Sequence, residues 1–452
     1  MPRTYETLVN DHLQSASPLS TTVTEVSWRN PSHSNVKYDY TKLHRYVEKA
    51  GLHVDSLAED MLDVAVTAYV HDRIHKRNPI DLSRGSKITI PVRNRAIWDA
   101  NKSVVAQCIS YLMRDKLELT FTHLPGGQTT AGSFSLEDGR PVCLFSGGAD
   151  SFAGAVSLLE QGEDPILASH YAGNILGIQR KLAGFLQAGY SGRSVDYFPV
   201  GVSLKEDIGD ITEQTQWVRS FLFLSIASSL AITVGTKRLR IFENGPIALN
   251  VPIAEGRHNT RTAHPYFLDL YHEMIKAIFS VDLDIQNPFL SKTKGELMQD
   301  IAASSVVDKL AYTTSCWRMG RSLGLYAYAL GGSSKGKTHC GTCYPCVIRQ
   351  AAFAHSGLTA HDNGYVIDPR AKYPNIDDAA KVTIADFLSF AKTFEAKSAN
   401  EILTDELPTL SIATSRVNAR QSVAVYERFA EEIRSYFRGA NTALTTAFSS
   451  YL

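Results

Sequence analysis

A short apolar strand that runs into two glycines restricts most strongly how this chain can fold. Residues 142–145 are apolar, Ser146, Gly147 and Gly148 follow, and a helical pattern begins near Phe152. Glycine lets backbone N–H groups turn inward without a Cβ in the way, and the following helix presents its positive N-terminal end. The segment therefore favours an α/β domain with an anion site at the turn. Two glycines alone are also typical of an ordinary tight turn between a strand and a helix.

The apolar runs on either side of this segment extend the α/β pattern. Between residues 141 and 310, short strand-like runs alternate with longer helical patterns, which predicts a parallel, doubly wound sheet. The preceding part of the chain combines helical and strand patterns and is interpreted as a small α+β unit, whereas two amphipathic helices follow Gly357. A stretch rich in Gly and Thr at 125–132 marks the first boundary. We predict an N-terminal domain, a central domain and a C-terminal helical extension at 1–132, 133–357 and 358–452.

Charge and hydropathy exclude several classes of protein. The chain has 46 Lys and Arg residues and 46 Asp and Glu residues, so it lacks the basic excess of a large nucleic-acid surface. The most apolar window, Phe221–Val234, is shorter than the roughly 20 residues that span a bilayer. We interpret it as a buried helix and expect no membrane contact. Without a recognisable targeting segment, the expected location is the cytoplasm.

The cysteines form a second pattern with chemical meaning. Four of the six cysteines cluster in the second half of the chain, at Cys316, Cys340, Cys343 and Cys346. Four thiolates at such spacings are the ligand set of a tetrahedral zinc ion, and a closed shell of four leaves no position for water. The expected zinc is therefore structural. Redox-active cysteines or an iron–sulfur cluster are the alternatives, because they use the same ligands.

The string Ser146–Ser151, which reads SGGADS, resembles the signature of the PP-loop ATP pyrophosphatases, whose domain is adenine nucleotide alpha hydrolase-like. Further landmarks resemble the 7-cyano-7-deazaguanine synthase family, QueC, over about residues 140–357. These landmarks are the runs QWVRSFL at 216–222, PFLSKTKGEL at 288–297, SC at 315–316 and CGTCYPC at 340–346. The added terminal domains make the chain similar to enlarged QueC-like proteins of bacterial anti-phage defence clusters, notably QatC of the Qat system.

This resemblance implies a reaction and the groups that carry it. A carboxylate, that of 7-carboxy-7-deazaguanine or a related nucleobase acid, would be adenylated by ATP with Mg²⁺ between Asp150 and the phosphates. Ammonia or an amine of a partner protein from the same defence cluster would then attack.

The expected site residues fall into four groups. The nucleotide-binding group is Ser146, Gly147, Gly148, Ala149, Asp150, Ser151 and His170. The catalytic group is Asp150, Ser151, Arg219 and Lys294, of which Arg219 and Lys294 would stabilise developing negative charge or be ordinary helix-end charges. His264 is the candidate substrate residue. The zinc ligands are Cys316, Cys340, Cys343 and Cys346.

Departures from the family pattern leave other functions open. The strand end at 170–174 reads HYAGN where the family has an Asp-Tyr-Gly-Gln sequence, and the gap between Cys316 and Cys340 is longer than in the family. The acceptor part of the site is therefore expected to differ. One alternative is a PP-loop enzyme that modifies or thiolates tRNA, although the neutral charge argues against stable RNA binding. Another is a non-catalytic module that senses a nucleotide within a defence complex.

Overall fold

A computed structural model gives the architecture of most of the chain. It describes residues 4–9, 23–26, 36–39, 41–49, 51–78, 82, 84–127, 134–171, 175–204, 213, 217–250, 253, 260–318, 321–330, 333–402, 416 and 418–452. The predicted boundary between residues 132 and 133 and residues 172–174 of the altered strand end lie outside the described residues, and the three-domain division stays a prediction.

The described strands number ten. They are β1 Thr4–Val9, β2 Val23–Val26, β3 Val36–Asp39, β4 Gly85–Val92, β5 Lys116–His123, β6 Val142–Leu144, β7 Ile166–Tyr171, β8 Asp196–Leu204, β9 Arg238–Arg240 and β10 Asp284–Gln286.

The helices of the described residues surround these strands. They are α1 Thr41–Lys49, α2 Ser56–Ile74, α3 Arg95–Ala100, α4 Lys102–Met113, α5 Ala149–Glu160, α6 Ile175–Gly189, α7 Arg219–Val234, α8 Gly245–Ala248, α9 Pro265–Phe279, α10 Lys294–Asp300, α11 Arg321–Ala329, α12 Tyr344–His355, α13 Pro369–Lys372, α14 Asp378–Ala396, α15 Ala399–Glu401, α16 Ala419–Arg438 and α17 Thr442–Ala447. Two 3₁₀ helices, Val307–Tyr312 and Thr359–His361, complete the set.

The N-terminal strands form a four-stranded sheet in the order β2-β1-β4-β5. Every pairing in this sheet is parallel, so the α+β interpretation of this part of the chain is wrong and the unit is α/β. The reason is that α2 lies between β1 and β4 in the chain, and α3 and α4 lie between β4 and β5. Helix α2 returns the chain to the same end of the sheet before β4, and α3 and α4 do so before β5, which allows β1, β4 and β5 to run parallel.

The central strands form a second sheet in the order β10-β9-β6-β7-β8-β3. The five strands from β6 to β10 are parallel, which confirms the prediction of an α/β domain with a parallel sheet, and β3 adds an antiparallel edge. The order runs outward in both directions from β6. Side chains of β6 alternate between two cores, with Val142 in the cluster that contains α7 and Cys143 in the cluster that contains α5.

Helices α2 and α7 pack against each other between the two sheets. Both are buried around most of their circumference, which is typical of a helix in the interior of a protein. The prediction that Phe221–Val234 is a buried helix is confirmed. Across the described residues, no helix is both long and apolar enough to cross a membrane. Near the C-terminus, α14 and α16 pack together, and α16 also packs against α8 and α12 of the central part.

Two helical glycines provide a matched test of this packing. A Cβ placed on Gly154 in α5 would lie 2.1 Å from Cγ of Phe242, whereas a Cβ on Gly184 in α6 would meet nothing within 4 Å. We expect Gly184→Ala to stabilise the protein by about 0.5–1 kcal/mol through helix propensity. We expect Gly154→Ala to destabilise it by about 1–3 kcal/mol through overpacking. Urea unfolding of both variants measures the difference, and equal effects would contradict this packing of α5.

Candidate nucleotide site and four-cysteine cluster

The turn between β6 and α5 is shaped by its glycines and serines. Gly147 has φ +85°, in the region that favours glycine, and Gly148 is the residue that precedes the first turn of α5. The Ser146 hydroxyl accepts a hydrogen bond from the Gly148 N–H at 3.2 Å and lies 3.2 Å from the Ser151 hydroxyl. The Ser151 hydroxyl donates to the Gly148 carbonyl at 3.0 Å. These contacts fix the turn at the N-terminal end of a twelve-residue helix, where an anion is favoured.

Three adjacent strands bring polar side chains to one end of the sheet. Asp150 follows β6, Asn244 follows β9 and Lys294 follows β10, and these strands are neighbours in the order β10-β9-β6. The carboxyl ends of parallel strands meet at one edge, which is where α/β proteins bind ligands. Lys294 Nζ contacts Asp150 Oδ1, and Asn244 Nδ2 donates to Asp150 Oδ2 at 2.6 Å. Asn244 and its neighbour Glu243 were not identified from the sequence, although both directly follow a buried strand.

The electrostatics of this group are set by burial and by one cation. Burial alone would raise the pKa of Asp150, but the charge and hydrogen bond of Lys294 and the hydrogen bond of Asn244 lower it below its ordinary value. Burial and the neighbouring Asp150 carboxylate raise the pKa of Glu243 well above its ordinary value. The opposite shifts favour the ionised form of Asp150 and the protonated form of Glu243.

A cavity of about 320 Å³ opens beside these residues. Its volume lies in the usual range of small-molecule sites. Its polar lining residues include Ser146, Gly148, Asp150, Glu243, Asn244 and Lys294. Its remaining wall contains apolar and aromatic residues from the segment after β9, from α8 and α12 and from the four-cysteine segment, among them Phe242, Ile247, Trp317, Tyr344 and Ile348. The rings of Trp317 and Tyr344 lie 5.9 Å apart at 32°. One cavity thus joins the glycine turn, the carboxyl groups of Asp150 and Glu243, a lysine and the rings of Trp317 and Tyr344.

Three candidate residues lie elsewhere. His170 is buried between Tyr69 and Phe223, and burial together with Arg219 lowers its pKa to about 3. The exposed Arg219 lies over the Phe223 ring at 5.2 Å. His264 is buried at the start of α9, where its Nδ1 lies 3.1 Å from the Tyr111 hydroxyl, and burial lowers its pKa to about 4. None of His170, Arg219 and His264 is among the described residues that line the cavity. Their assigned roles stay predictions.

Gln179 of α6 supports the glycine turn and was not identified from the sequence. Its Nε2 donates to the Ser146 carbonyl at 3.1 Å and to the His170 carbonyl at 3.0 Å, and its Oε1 accepts from the Tyr197 hydroxyl at 3.1 Å. A Cβ on Gly147 would lie 3.2 Å from Gln179 Cγ. One fully buried amide thus links the turn to the ends of two strands.

Removing this amide should destabilise the protein measurably. We expect Gln179→Met to lower the free energy of unfolding by about 2–3 kcal/mol, because the Ser146 carbonyl and the buried His170 carbonyl lose their donor. Tyr197→Phe is the matched control, since it removes one bond and leaves both carbonyls paired, and its expected cost is about 1 kcal/mol. Urea unfolding measures both. A larger loss for Tyr197→Phe than for Gln179→Met would contradict this role of the amide.

The four predicted zinc ligands come together. The sulfurs of Cys316, Cys340, Cys343 and Cys346 all lie within 4.8 Å of one another and are buried. Four sulfurs at about 2.3 Å from a tetrahedral zinc stand about 3.8 Å apart, and the Cys340 and Cys346 sulfurs are 3.8 Å apart. The cluster could therefore hold zinc. These distances suit a single ion. The cysteine sulfurs that bind an iron–sulfur cluster lie farther apart, because the whole cluster stands between them.

Backbone and side-chain donors surround the four sulfurs. The N–H groups of Arg318 and Cys340 donate to the Cys316 sulfur at 3.3 Å, and the Cys343 N–H donates to the Cys340 sulfur at 3.4 Å. Such donors stabilise thiolates. Gly341 has φ +90°, and a Cβ there would lie 1.8 Å from the Ile367 carbonyl oxygen, so only glycine fits between these ligands.

The cysteine cluster is joined to the glycine turn through the segment before Cys316. The Thr314 N–H donates to the Gly147 carbonyl at 3.0 Å, and the Ser315 N–H donates to His339 Nε2 at 3.1 Å. Ser315 also lines the cavity. An ion held by the four sulfurs would therefore hold Ser315 in the cavity wall and Thr314 against the glycine turn.

A comparison with known protein families agrees with this geometry. The family model of queuosine biosynthesis protein QueC matches residues 203–357. The match supports a QueC-like family. The QueC-like segment covers about a third of the chain and contains Asn244, Lys294 and the four cysteines, whereas the glycine turn precedes it. It indicates an ATP-dependent enzyme of the PP-loop type with ligase-like activity. No curated protein and no solved structure matches the chain.

Proposed function

We propose that the protein is a PP-loop ligase with a doubly wound nucleotide domain, which adenylates a carboxylate for attack by a nitrogen nucleophile. The preferred acid is 7-carboxy-7-deazaguanine or a related nucleobase acid. The observation that carries the proposal is the single cavity in which Ser146 and Gly148 of the glycine turn face the Asp150–Lys294 pair. An acid, a triphosphate and the charges needed to join them can meet there.

The reaction begins at the α-phosphorus of ATP. A carboxylate oxygen of the acid attacks it, the bond between the α- and β-phosphates breaks, and pyrophosphate leaves. The glycine turn supplies backbone donors and hydroxyls for the phosphates. Lys294 supplies positive charge where negative charge develops. Asp150 holds the lysine side chain in place, and Asn244 in turn donates to Asp150. The nitrogen nucleophile then attacks the acyl carbon and releases AMP.

Mg²⁺ fits the carboxyl pair of the cavity. Asp150 and Glu243 would hold it, because burial and the Asp150 carboxylate together raise the pKa of Glu243, and a divalent cation would favour the charged form of both groups. When bound, Mg²⁺ supplies positive charge that neutralises the phosphates. Asp150 without such an ion would repel them.

The aromatic part of the cavity suits a planar acid. Trp317 and Tyr344 offer ring faces, and Asn250 and Thr260 offer polar groups in the same cavity. We propose ammonia or an amine of a partner protein as the nucleophile, and a role in bacterial anti-phage defence. The partner and the defence role are supported by the resemblance of the enlarged chain to QatC-type proteins.

The release of AMP and pyrophosphate tests the proposal directly. The protein is incubated with ATP, Mg²⁺ and a panel of carboxylic acids that includes 7-carboxy-7-deazaguanine, with and without ammonia. We expect pyrophosphate release that requires the acid and AMP release that increases with ammonia. ATP binding without either product, for every acid and amine tested, would instead support a nucleotide-sensing module. Retention of RNA that weakens with salt would favour the tRNA-modifying alternative.

A further inference from the structure

Helix α16, which lies beyond the QueC-like segment, contacts three elements that form the cavity wall. It packs against α8 and α12, and two of its side chains reach the residues at the start of α10. α8 carries Asn244 at its N-terminus and α10 carries Lys294, so α16 lies behind both partners of Asp150. The position of α16 can therefore determine where Asn244 and Lys294 lie relative to Asp150.

Glu432 is the α16 residue at the centre of this contact. Its side chain is buried, and its Oε1 accepts a hydrogen bond from the hydroxyl of Thr293, the residue that caps α10. A Cβ on Gly295 would lie 2.5 Å from the same oxygen, so the glycine is what allows the carboxyl group to approach. Thr293 and Gly295 flank Lys294 in the chain. Glu432 thus contacts the residues on both sides of the lysine, through the hydroxyl of Thr293 and the backbone of Gly295.

The Thr293 hydroxyl has two partners that order the start of α10. It accepts from the Glu296 N–H at 3.1 Å while it donates to Glu432, and the Glu296 carboxylate accepts from the Thr293 N–H at 2.8 Å. Arg428, one turn before Glu432 in α16, donates to the Glu296 carboxylate at 2.6 Å. Since α10 is short, these contacts to α16 supply much of what fixes its first turn.

We propose that Glu432 is a positioning residue that holds the start of α10 so that Lys294 stays paired with Asp150 inside the cavity. The C-terminal extension is then part of the active site's support, although none of its described residues is among those that line the cavity. The inference rests on the proposed function for its catalytic meaning, but the placement of Lys294 can be measured without catalysis.

The surroundings of Glu432 decide which variant is conservative. Burial raises the pKa of Glu432 to about 7, and the Thr293 hydroxyl and Arg428 offset only part of that rise. His355 of α12 lies 3.8 Å from Glu432 Oε1, and the Glu296 carboxylate of α10 and Arg428 of α16 are the other charged groups that act on it. In Glu432→Gln, the amide oxygen can still accept the hydrogen bond from Thr293, and the side chain has the shape of the neutral acid. Met keeps the length of the side chain but removes the acceptor.

Chemical labelling of lysine tests the placement of Lys294. Glu432→Met, Glu432→Gln and the neighbouring exposed Glu431→Met are treated with an amine-acylating reagent, and Lys294 and Lys292 peptides are quantified by mass spectrometry. We expect labelling of Lys294 to rise roughly tenfold in Glu432→Met, because its protecting contacts loosen, and to stay near the wild-type value in the other two variants. Lys292 is already exposed and serves as the internal reference. Unchanged Lys294 labelling in a folded Glu432→Met would overturn the proposal.

Kinetics then separate positioning from general stability. We expect Glu432→Met to lower kcat for AMP formation roughly tenfold with little change in KM for ATP, and Glu432→Gln to restore most of the rate. In a Lys294→Met background, Glu432→Met should cause no further loss, since the two residues act through one group. Additive losses would overturn the proposal. If the wild type forms no AMP at all, the proposed function fails, and the labelling result still decides the role of Glu432.

Discussion

Asp150→Ala is expected to reduce AMP formation by about 10²–10³-fold, the loss that follows removal of one preorganised charge from an active site. The side chain holds Lys294 Nζ and the Asn244 amide at opposite oxygens, so its loss releases both groups. It also leaves a buried ammonium without its carboxylate partner, which costs about 3–5 kcal/mol of stability. Pyrophosphate and AMP release under saturating ATP measure the first effect, and thermal unfolding measures the second.

A charge-balanced double variant separates the two effects. Asp150→Asn together with Lys294→Met removes both charges, so we expect a smaller loss of stability than either single change causes. The rate should nevertheless remain as low as in the single variants, because the cavity still lacks its lysine. Lys292→Met is the matched control, since Lys292 forms an exposed pair with Asp300 at 2.5 Å, and its expected effect on the rate is less than about twofold. Recovery of the rate in the double variant would show that the pair serves stability alone.

Local sequence patterns were sufficient to predict the glycine turn and the cysteine cluster. The strand at 142–144, the positive φ of Gly147 and the helix after Gly148 follow from short-range preferences of apolar residues and glycine. The four cysteines come together because Cys340, Cys343 and Cys346 lie in one tight turn, and only Cys316 has to be brought in. Lys294 and Asp150 were both expected as site residues, but their ion pair was not.

Contacts between distant parts of the chain could not be predicted in the same way. Asn244 and Glu432 contact Asp150 and Thr293 across 94 and 139 residues. Asn244 does follow a strand, but no local pattern indicates which distant residue either side chain contacts. His264 was expected as a substrate residue in a loop. In the structure it is a buried residue that caps α9 beside Tyr111. The parallel order of the N-terminal sheet depends on which strands pair, and helical and strand patterns alone do not determine that.

Loss of the ion held by the four cysteines should have the largest effect on stability. We expect the purified protein to contain one zinc per chain, and we expect Cys346→Ser to lose it. Zinc binding contributes on the order of 10 kcal/mol in small zinc domains, so even a fraction of that amount would lower the unfolding temperature by many degrees. Metal analysis and thermal unfolding measure the two outcomes. Cys143→Ser is the matched control, because Cys143 is equally buried but lies in the core around α5, and it should keep the zinc.

Removal of zinc should also weaken ATP binding. This effect would show that the cysteine cluster stabilises the nucleotide site as well as its own segment. The segment before Cys316 donates to the Gly147 carbonyl through the Thr314 N–H, so release of Cys316 removes a partner of the glycine turn. We expect a chelator to weaken ATP binding, measured by calorimetry, before it unfolds the parallel sheet, measured by circular dichroism. When Cys346→Ser is heated, ATP binding should likewise be lost at a lower temperature than the parallel sheet. Unchanged ATP affinity after complete removal of zinc would mean that the turn holds its shape through Gln179 and the serines alone, and that the cysteine segment acts only on the aromatic wall of the cavity.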